Sequence, residues 1–199
     1  MNTPFFAELK EIPDFKLLAP EIIKEIANRA KKVNYKRGDI IIRDGELANW
    51  IGVITKGLVR GFSKVDNGTE KVWVLFKEHD YCVSPHSFYQ ELPARGHLQA
   101  LENLELLTIS KKDHEDLSIR YPTFKTHTFR ILSQRMMYHV TEKNRLINMD
   151  ASGRYQYFIA TYPDLIARVS LGNISSLLGI RQSSLSRIRR NLSRKKFEE

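Results

Sequence analysis

From Val33 to Ile109 the chain is a succession of short β-branched and aromatic segments separated by turn residues, with no helix-length stretch between them. The segments are Asp39–Arg43, Trp50–Thr55, Leu58–Lys64, Lys71–Phe76, Tyr81–Val83, Leu98–Ala100 and Glu105–Ile109. Between or just before them stand Arg37-Gly38, Asp44-Gly45, Lys56-Gly57 and Asp66-Asn67-Gly68. The last predicts a tight hairpin, because Asn-Gly tolerates the positive φ such turns need. No alternation of strand, helix and strand appears in this region. The pattern therefore predicts a sandwich or closed jelly roll and argues against a doubly wound nucleotide-binding sheet.

Helical patterning flanks this region. Up to about Ala30 the chain reads as helical, with Pro20 in a first turn and Ile22, Ile23 and Ile26 on one face. The helical period returns after Asp113. From about Pro122 to Asn148 there is no glycine and no internal proline, which predicts one long helix of roughly 40 Å. Phe129, Leu132, Met136, Val140, Lys143 and Ile147 follow at steps of three or four, a heptad-like seam suited to self-association. Ser152-Gly153 is expected to break the chain, with Ser152 capping a helix that carries Tyr155, Phe158 and Ile159 and ends near Pro163. The expected division is residues 1–121, 122–148 and 149–199.

The most informative stretch begins at Ser170. Ser170 is placed to cap a short helix whose Ile174, Leu177 and Leu178 face inward, with small Ser175 where a second helix would cross. Gly179 follows where a left-handed turn residue is needed, and Leu185, Ile188 and Leu192 give the second helix its apolar side. This is the spacing of a helix-turn-helix. The second helix leaves Arg181, Gln182, Ser183, Ser186, Arg187, Arg189 and Arg190 uncommitted to a core. Gln182, Ser183 and Arg187 are candidates to read base edges, since Gln pairs with adenine and Arg with guanine. Arg181, Ser186, Arg189, Arg190 and Arg194 are candidates for phosphates.

Charge points the same way. The chain carries a formal +9, and from Ala151 onward nine basic residues face only Asp164, Glu198 and Glu199. A basic tail favours a polyanion through counterion release. No run approaches the length of a membrane span, and the first residues lack a signal-peptide pattern, so a cytoplasmic protein is expected. The single cysteine, Cys82, rules out an intramolecular disulfide or a four-cysteine metal site. It reads as a small, partly buried hydrophobe, with a redox-sensing thiol as the alternative.

The order of elements resembles the catabolite-activator/Fnr (Crp–Fnr) superfamily of bacterial regulators over essentially the whole chain. Tyr35-Lys-Arg-Gly-Asp-Ile-Ile-Ile-Arg-Asp-Gly-Glu is similar to the family's first glycine-turn strands, and Trp50-Ile-Gly-Val-Ile-Thr-Lys-Gly-Leu-Val-Arg to the segment that follows. Leu178-Gly-Ile-Arg-Gln-Ser-Ser-Leu-Ser-Arg-Ile-Arg is similar to the recognition element, with Gln182, Ser183 and Arg187 at its base-reading positions. The resemblance implies an α+β chain: a cyclic-nucleotide-binding-like jelly roll (a double-stranded β-helix), a long dimerisation helix and a C-terminal helix-turn-helix. It implies a homodimer on an inverted repeat of double-stranded DNA, RNA polymerase as a further partner, and a small effector in the β domain.

The match is imperfect where a ligand would sit. Relatives that bind cyclic AMP carry a Gly-Glu pair opening a short helix, with Arg-Ser/Thr-Ala after it. Here Val83-Ser84 stands at or near the Gly-Glu positions, no Arg-Ser-Ala follows, and Arg95 sits in Arg95-Gly-His. Cyclic-nucleotide binding by the usual mode is not expected, and no cofactor is. Ser84, His86, Ser87, Tyr89 and Arg95 are the candidate lining of a pocket for another, polar effector, the alternative being a vestigial sensor domain with no ligand. The lone cysteine does not suit an iron–sulfur cluster, and His79 and His86 read as polar loop residues rather than haem ligands. Val169–Gly172 leaves little room for a β wing before the recognition helix.

Catalysis is not expected. No two histidines are separated by a single residue, as a cupin metal site requires, and there is no phosphate-cradling glycine loop or nucleophile turn. The remaining alternative is a ligand-binding module of the cyclic-nucleotide-binding type without DNA function.

Overall fold

The computed structural model describes residues 3–65 and 68–195. The chain divides into two compact units, one of residues 1–63 with 74–136, the other of 64–73 with 137–199.

The first unit opens with helix α1 (Phe6–Glu11), a 3-10 turn (Pro13–Leu17) and helix α2 (Pro20–Arg29). Then come strands β1 (Lys31–Tyr35), β2 (Ile40–Ile42), β3 (Trp50–Lys56), β4 (Val59–Lys64), β5 (Glu70–Phe76) and β6 (Tyr81–Cys82), and the short helix α3 (Pro85–Gln90). Strands β7 (His97–Ala100) and β8 (Leu104–Ser110), helix α4 (Lys111–Arg120) and the start of helix α5 (Pro122–Ile147) complete it. The strands form two four-stranded sheets, ordered β1-β8-β3-β6 and β2-β7-β4-β5. The jelly roll expected from the turn spacing is thus the observed architecture.

Strands β3 and β8 serve two cores because successive side chains point to opposite faces. Ile54, Leu104 and Leu106 face the interior of the roll with Ile41, Ile42, Val59, Cys82, Leu98 and Ala100. Val53, Leu107 and Ile109 instead pack against the helices, meeting Leu9, Ile22, Ile23, Ile26, Leu117 and Phe124. The β3–β4 turn depends on Gly57. Its φ is +103°, and a Cβ there would lie 2.7 Å from the Asn103 carbonyl oxygen. Of the Asp66-Asn67-Gly68 turn, Asp66 and Asn67 lie outside the described residues. Around them, Val65 N–H donates to Thr69 C=O at 3.0 Å, as a hairpin requires.

Helix α5 has 26 residues and runs without a break from the first unit into the second. Phe124, His127 and Ile131 are its buried residues. Phe129, Leu132, Met136, Val140 and Ile147, the seam read from the sequence, are all exposed, Phe129 at 71%.

The second unit contains helices α6 (Ala151–Thr161), α7 (Leu171–Leu178) and α8 (Gln182–Lys195), with a 3-10 turn at Pro163–Leu165. Here the structure corrects the sequence reading. The break falls at Asn148–Asp150, and Asp150, not Ser152, caps α6 by accepting the Gly153 N–H at 2.7 Å. Gly153 is therefore inside the first turn of the helix. Asp outranks its neighbours here because its carboxylate both accepts the free N–H and faces the positive end of the helix. Two networks tie the last turns of α5 to α6. The Tyr138 and Tyr162 hydroxyls are hydrogen-bonded to each other. Tyr157 donates to Glu142 and accepts from Arg145, each at 2.8 Å. Buried Tyr155, Phe158, Leu165, Val169, Ile174, Leu178, Ile180 and Leu185 provide the apolar interior. No helix among the described residues is long and apolar enough to cross a membrane.

Candidate nucleic-acid interface

Helix α7 is set at both ends by its own sequence. The Ser170 hydroxyl accepts the Asn173 N–H at 3.2 Å. At the other end Gly179 takes the left-handed conformation, φ +62°, and the Ile180 N–H returns to the Ser175 carbonyl at 2.9 Å. That closure satisfies carbonyls a helix end would otherwise leave unpaired, and it turns the chain directly into α8. Ser175 is buried and its hydroxyl donates within its own helix, to the Gly172 carbonyl at 2.8 Å. Leu185 is fully buried and anchors α8, which packs on both α6 and α7. Ile188 and Leu192 are half-buried beside it.

The rest of α8 faces out. Arg181, Gln182, Ser183, Ser186, Arg187, Arg189 and Arg190 are all exposed. Ser183, Arg187 and Arg190 lie along one face at steps of four and three, with Ser186 and Gln182 beside them. Arg194 is on the last turn, with its side chain outside the described residues. Between Val169 and Phe197 the sequence holds no carboxylate, so this face carries donors and cations alone. Its first turn has no acidic residue to neutralise the positive end of the helix. An exposed, rigidly anchored helix of this kind presents long donors to a polyanion groove. Residues 162–170 form a 3-10 turn and coil with no strand, so no wing precedes the helix pair.

In the β domain, the candidate effector residues differ in setting. Ser87 is fully buried and donates to the Glu46 carbonyl at 3.2 Å. Ser84 is buried at the start of α3, where its carbonyl accepts the Phe88 N–H. His86 is half-buried, whereas Tyr89 and Arg95 are exposed. Tyr89 packs edge-on against Phe88 with ring centroids 5.0 Å apart. Cys82 is fully buried opposite Gly52, and burial pushes its thiol up to about 12. A thiol so placed is protonated and shielded, which favours its reading as a small hydrophobe.

Sequence reasoning missed Ser176 on α7. Its hydroxyl accepts the Val72 N–H at 2.9 Å and donates to the Glu70 carbonyl at 3.3 Å, across 104 and 106 residues of chain. A lone serine in a helix carries no mark of such a partner, so no sequence signal points to it.

Residues 32–121 match the family model described as the cyclic nucleotide-binding domain. The fold is also that of several solved structures. FixK2 from Bradyrhizobium japonicum gives a TM-score of 0.73 at 15% identity, covering 84% of this chain and 86% of that one. CLP of Xanthomonas campestris, described as a c-di-GMP responsive global regulator, gives 0.70 at 20% identity, covering 89% and 93%. The catabolite activator protein of Thermus thermophilus gives 0.58 at 22% identity, covering 92% and 88%. A search of curated proteins gives no match. Residues 32–121 are thus a cyclic nucleotide-binding-type domain, and the chain as a whole has the fold of these three solved structures.

Proposed function

We propose that this protein is a sequence-specific DNA-binding transcription regulator of the cytoplasm, not an enzyme. The observation that carries the reading is the outward face of α8. Gln182, Ser183 and Arg187 are exposed on a helix whose other side is fixed by fully buried Leu185, and no carboxylate lies nearby in sequence. Gln182, Ser183 and Arg187 read base edges, while Arg181, Ser186, Arg189, Arg190 and Arg194 hold phosphates. The protein acts as a homodimer joined along the exposed α5 seam of Phe129, Leu132, Met136, Val140 and Ile147. Its two recognition helices then engage an inverted repeat about one DNA turn, roughly 34 Å, apart.

A small effector in the β domain acts by shifting the population between two arrangements of the recognition helices. The reading gives no part to a cyclic nucleotide bound in the usual way, since Val83-Ser84 stands at or near the Gly-Glu positions and no Arg-Ser-Ala follows. RNA polymerase is the downstream partner.

The test is selection from a pool of randomised duplex DNA by the purified protein, with the retained molecules sequenced. An enriched inverted repeat is expected, and Arg187→Ala should relax preference within each half-site by about tenfold, the worth of one bidentate base contact. No retention even at low salt would overturn the reading and leave a ligand-binding module of the same fold.

A further inference from the structure

The second unit contains ten residues from the middle of the chain, Lys64–Trp73, which are the outer part of the β4–β5 hairpin. Strand β5 is last in the order β2-β7-β4-β5, so among the described residues one of its edges has no strand beside it. Such an edge leaves a row of backbone donors and acceptors open. Ser176 covers it. A hydroxyl is both donor and acceptor, so this one group takes the Val72 N–H at 2.9 Å and returns a proton to the Glu70 carbonyl at 3.3 Å. It offers β5 what a neighbouring strand would offer.

The position of Ser176 gives the contact its meaning. It lies on α7, one residue after Ser175, whose carbonyl closes the turn into α8. The first helix of the helix-turn-helix is therefore held to a strand, and that strand continues unbroken through Val74–Phe76 into the first unit. The contact is not a block. Gln182, Ser183, Ser186 and Arg187 remain exposed with the hairpin in place.

The geometry points to the β4–β5 hairpin as a working part of the DNA-binding unit, with Ser176 as the positioning residue that fixes α7, and through it α8, on β5. Strand β5 is then a second covalent route, besides α5, by which the state of the β domain reaches the recognition helix. The consequence for DNA rests on the proposed function above; the docking itself does not.

The test uses the full chain with Ser176→Ala and the hydroxyl-retaining Ser176→Thr. Two quantities are read: backbone hydrogen exchange at Val72, and retention of the duplex selected by the wild-type protein. Ser176→Ala should speed Val72 exchange about fivefold to tenfold, the effect of one lost hydrogen bond. Exchange at Leu185 in the buried interior should stay unchanged, which separates a docking role from general destabilisation. Retention should weaken by about threefold or more, a share of the same loss, and Ser176→Thr should restore both readings. Unchanged Val72 exchange in Ser176→Ala overturns the docking. Faster exchange with undiminished DNA retention overturns the positioning role. If the wild-type chain binds no duplex, the DNA reading fails by itself, and Val72 exchange still decides whether the docking stands.

Discussion

Leu185→Ala separates the two units by their stability. Leu185 is fully buried on α8, between that helix and its neighbours α6 and α7. The substitution removes three buried carbons, about 2.4 kcal/mol at ~0.8 kcal/mol each, and leaves a cavity that a packed interior closes only in part. The sum is about 3 kcal/mol. A unit whose interior rests on so few large side chains has only a few kcal/mol in total, so most of its margin is lost. The larger cores of the first unit share no residue with this interior. Hydrogen exchange read by peptide mass spectrometry should therefore show protection falling by about two orders of magnitude across α6, α7 and α8, at ~1.4 kcal/mol per tenfold. Peptides from β3 and β8 should keep theirs. Arg187→Ala, on the exposed side of the same helix, should leave protection unchanged while altering DNA preference. Equal loss in β8 and α8, or no loss in α8, would refute the reasoning that the helix-turn-helix has an interior of its own.

Two further outcomes are expected. Leu132→Glu places a charge in the exposed apolar seam of α5; sedimentation should show a dimer becoming a monomer, and an unchanged dimer would remove the seam from the interface. His114 and His127, both in the first unit, are held below the usual histidine range chiefly by burial, and His127 also by neighbouring Arg130. Their Nε2 atoms have no hydrogen-bond partner, and His114 lies between the Phe88 and Phe124 rings at 5.2 Å from each. The unfolded chain then binds protons that the folded chain refuses, so stability is full above about pH 6.5 and falls as the pH drops below it. Thermal melts between pH 7.5 and 5.5 (roughly one unit either side of the free-histidine value) should show this slope, reduced in a His114→Asn/His127→Asn double variant. An equal slope in that variant would assign the effect elsewhere.

Much of this architecture was legible because local chemistry and tertiary structure agree. Lys56-Gly57 marked the β3–β4 turn because no residue with a Cβ fits against the Asn103 carbonyl. Ser170, Gly179 and Leu185 marked the helix pair because cap, turn and anchor each demand one side-chain type. Strand β1 was not among the strands expected, since Lys31 and Lys32 give it an exposed, polar opening although it pairs with β8 along its whole length. Helix α3 has only six residues opening on Pro85, too few for a period to register. At the α5–α6 junction two cap-forming residues, Asp150 and Ser152, lie two apart, and Gly153 drew the break to the wrong one. Of the candidate site, the α8 face was readable as uncommitted cations and amides. The effector candidates were not, because exposure at Tyr89 and Arg95 and burial at Ser84 and Ser87 follow from packing rather than from residue type.

The distance in sequence between Val72 and Ser176 also sets an order of events during synthesis. The strand leaves the ribosome 104 residues before the helix that covers its edge. At roughly 5–20 residues per second, that interval is on the order of 5–20 s. Throughout it the outer edge of β5 is open, with β-branched Val72 and Val74 and the exposed indole of Trp73 close by. In that interval β5 lacks the cover that Ser176 gives it, and slow translation through residues 74–176 lengthens it.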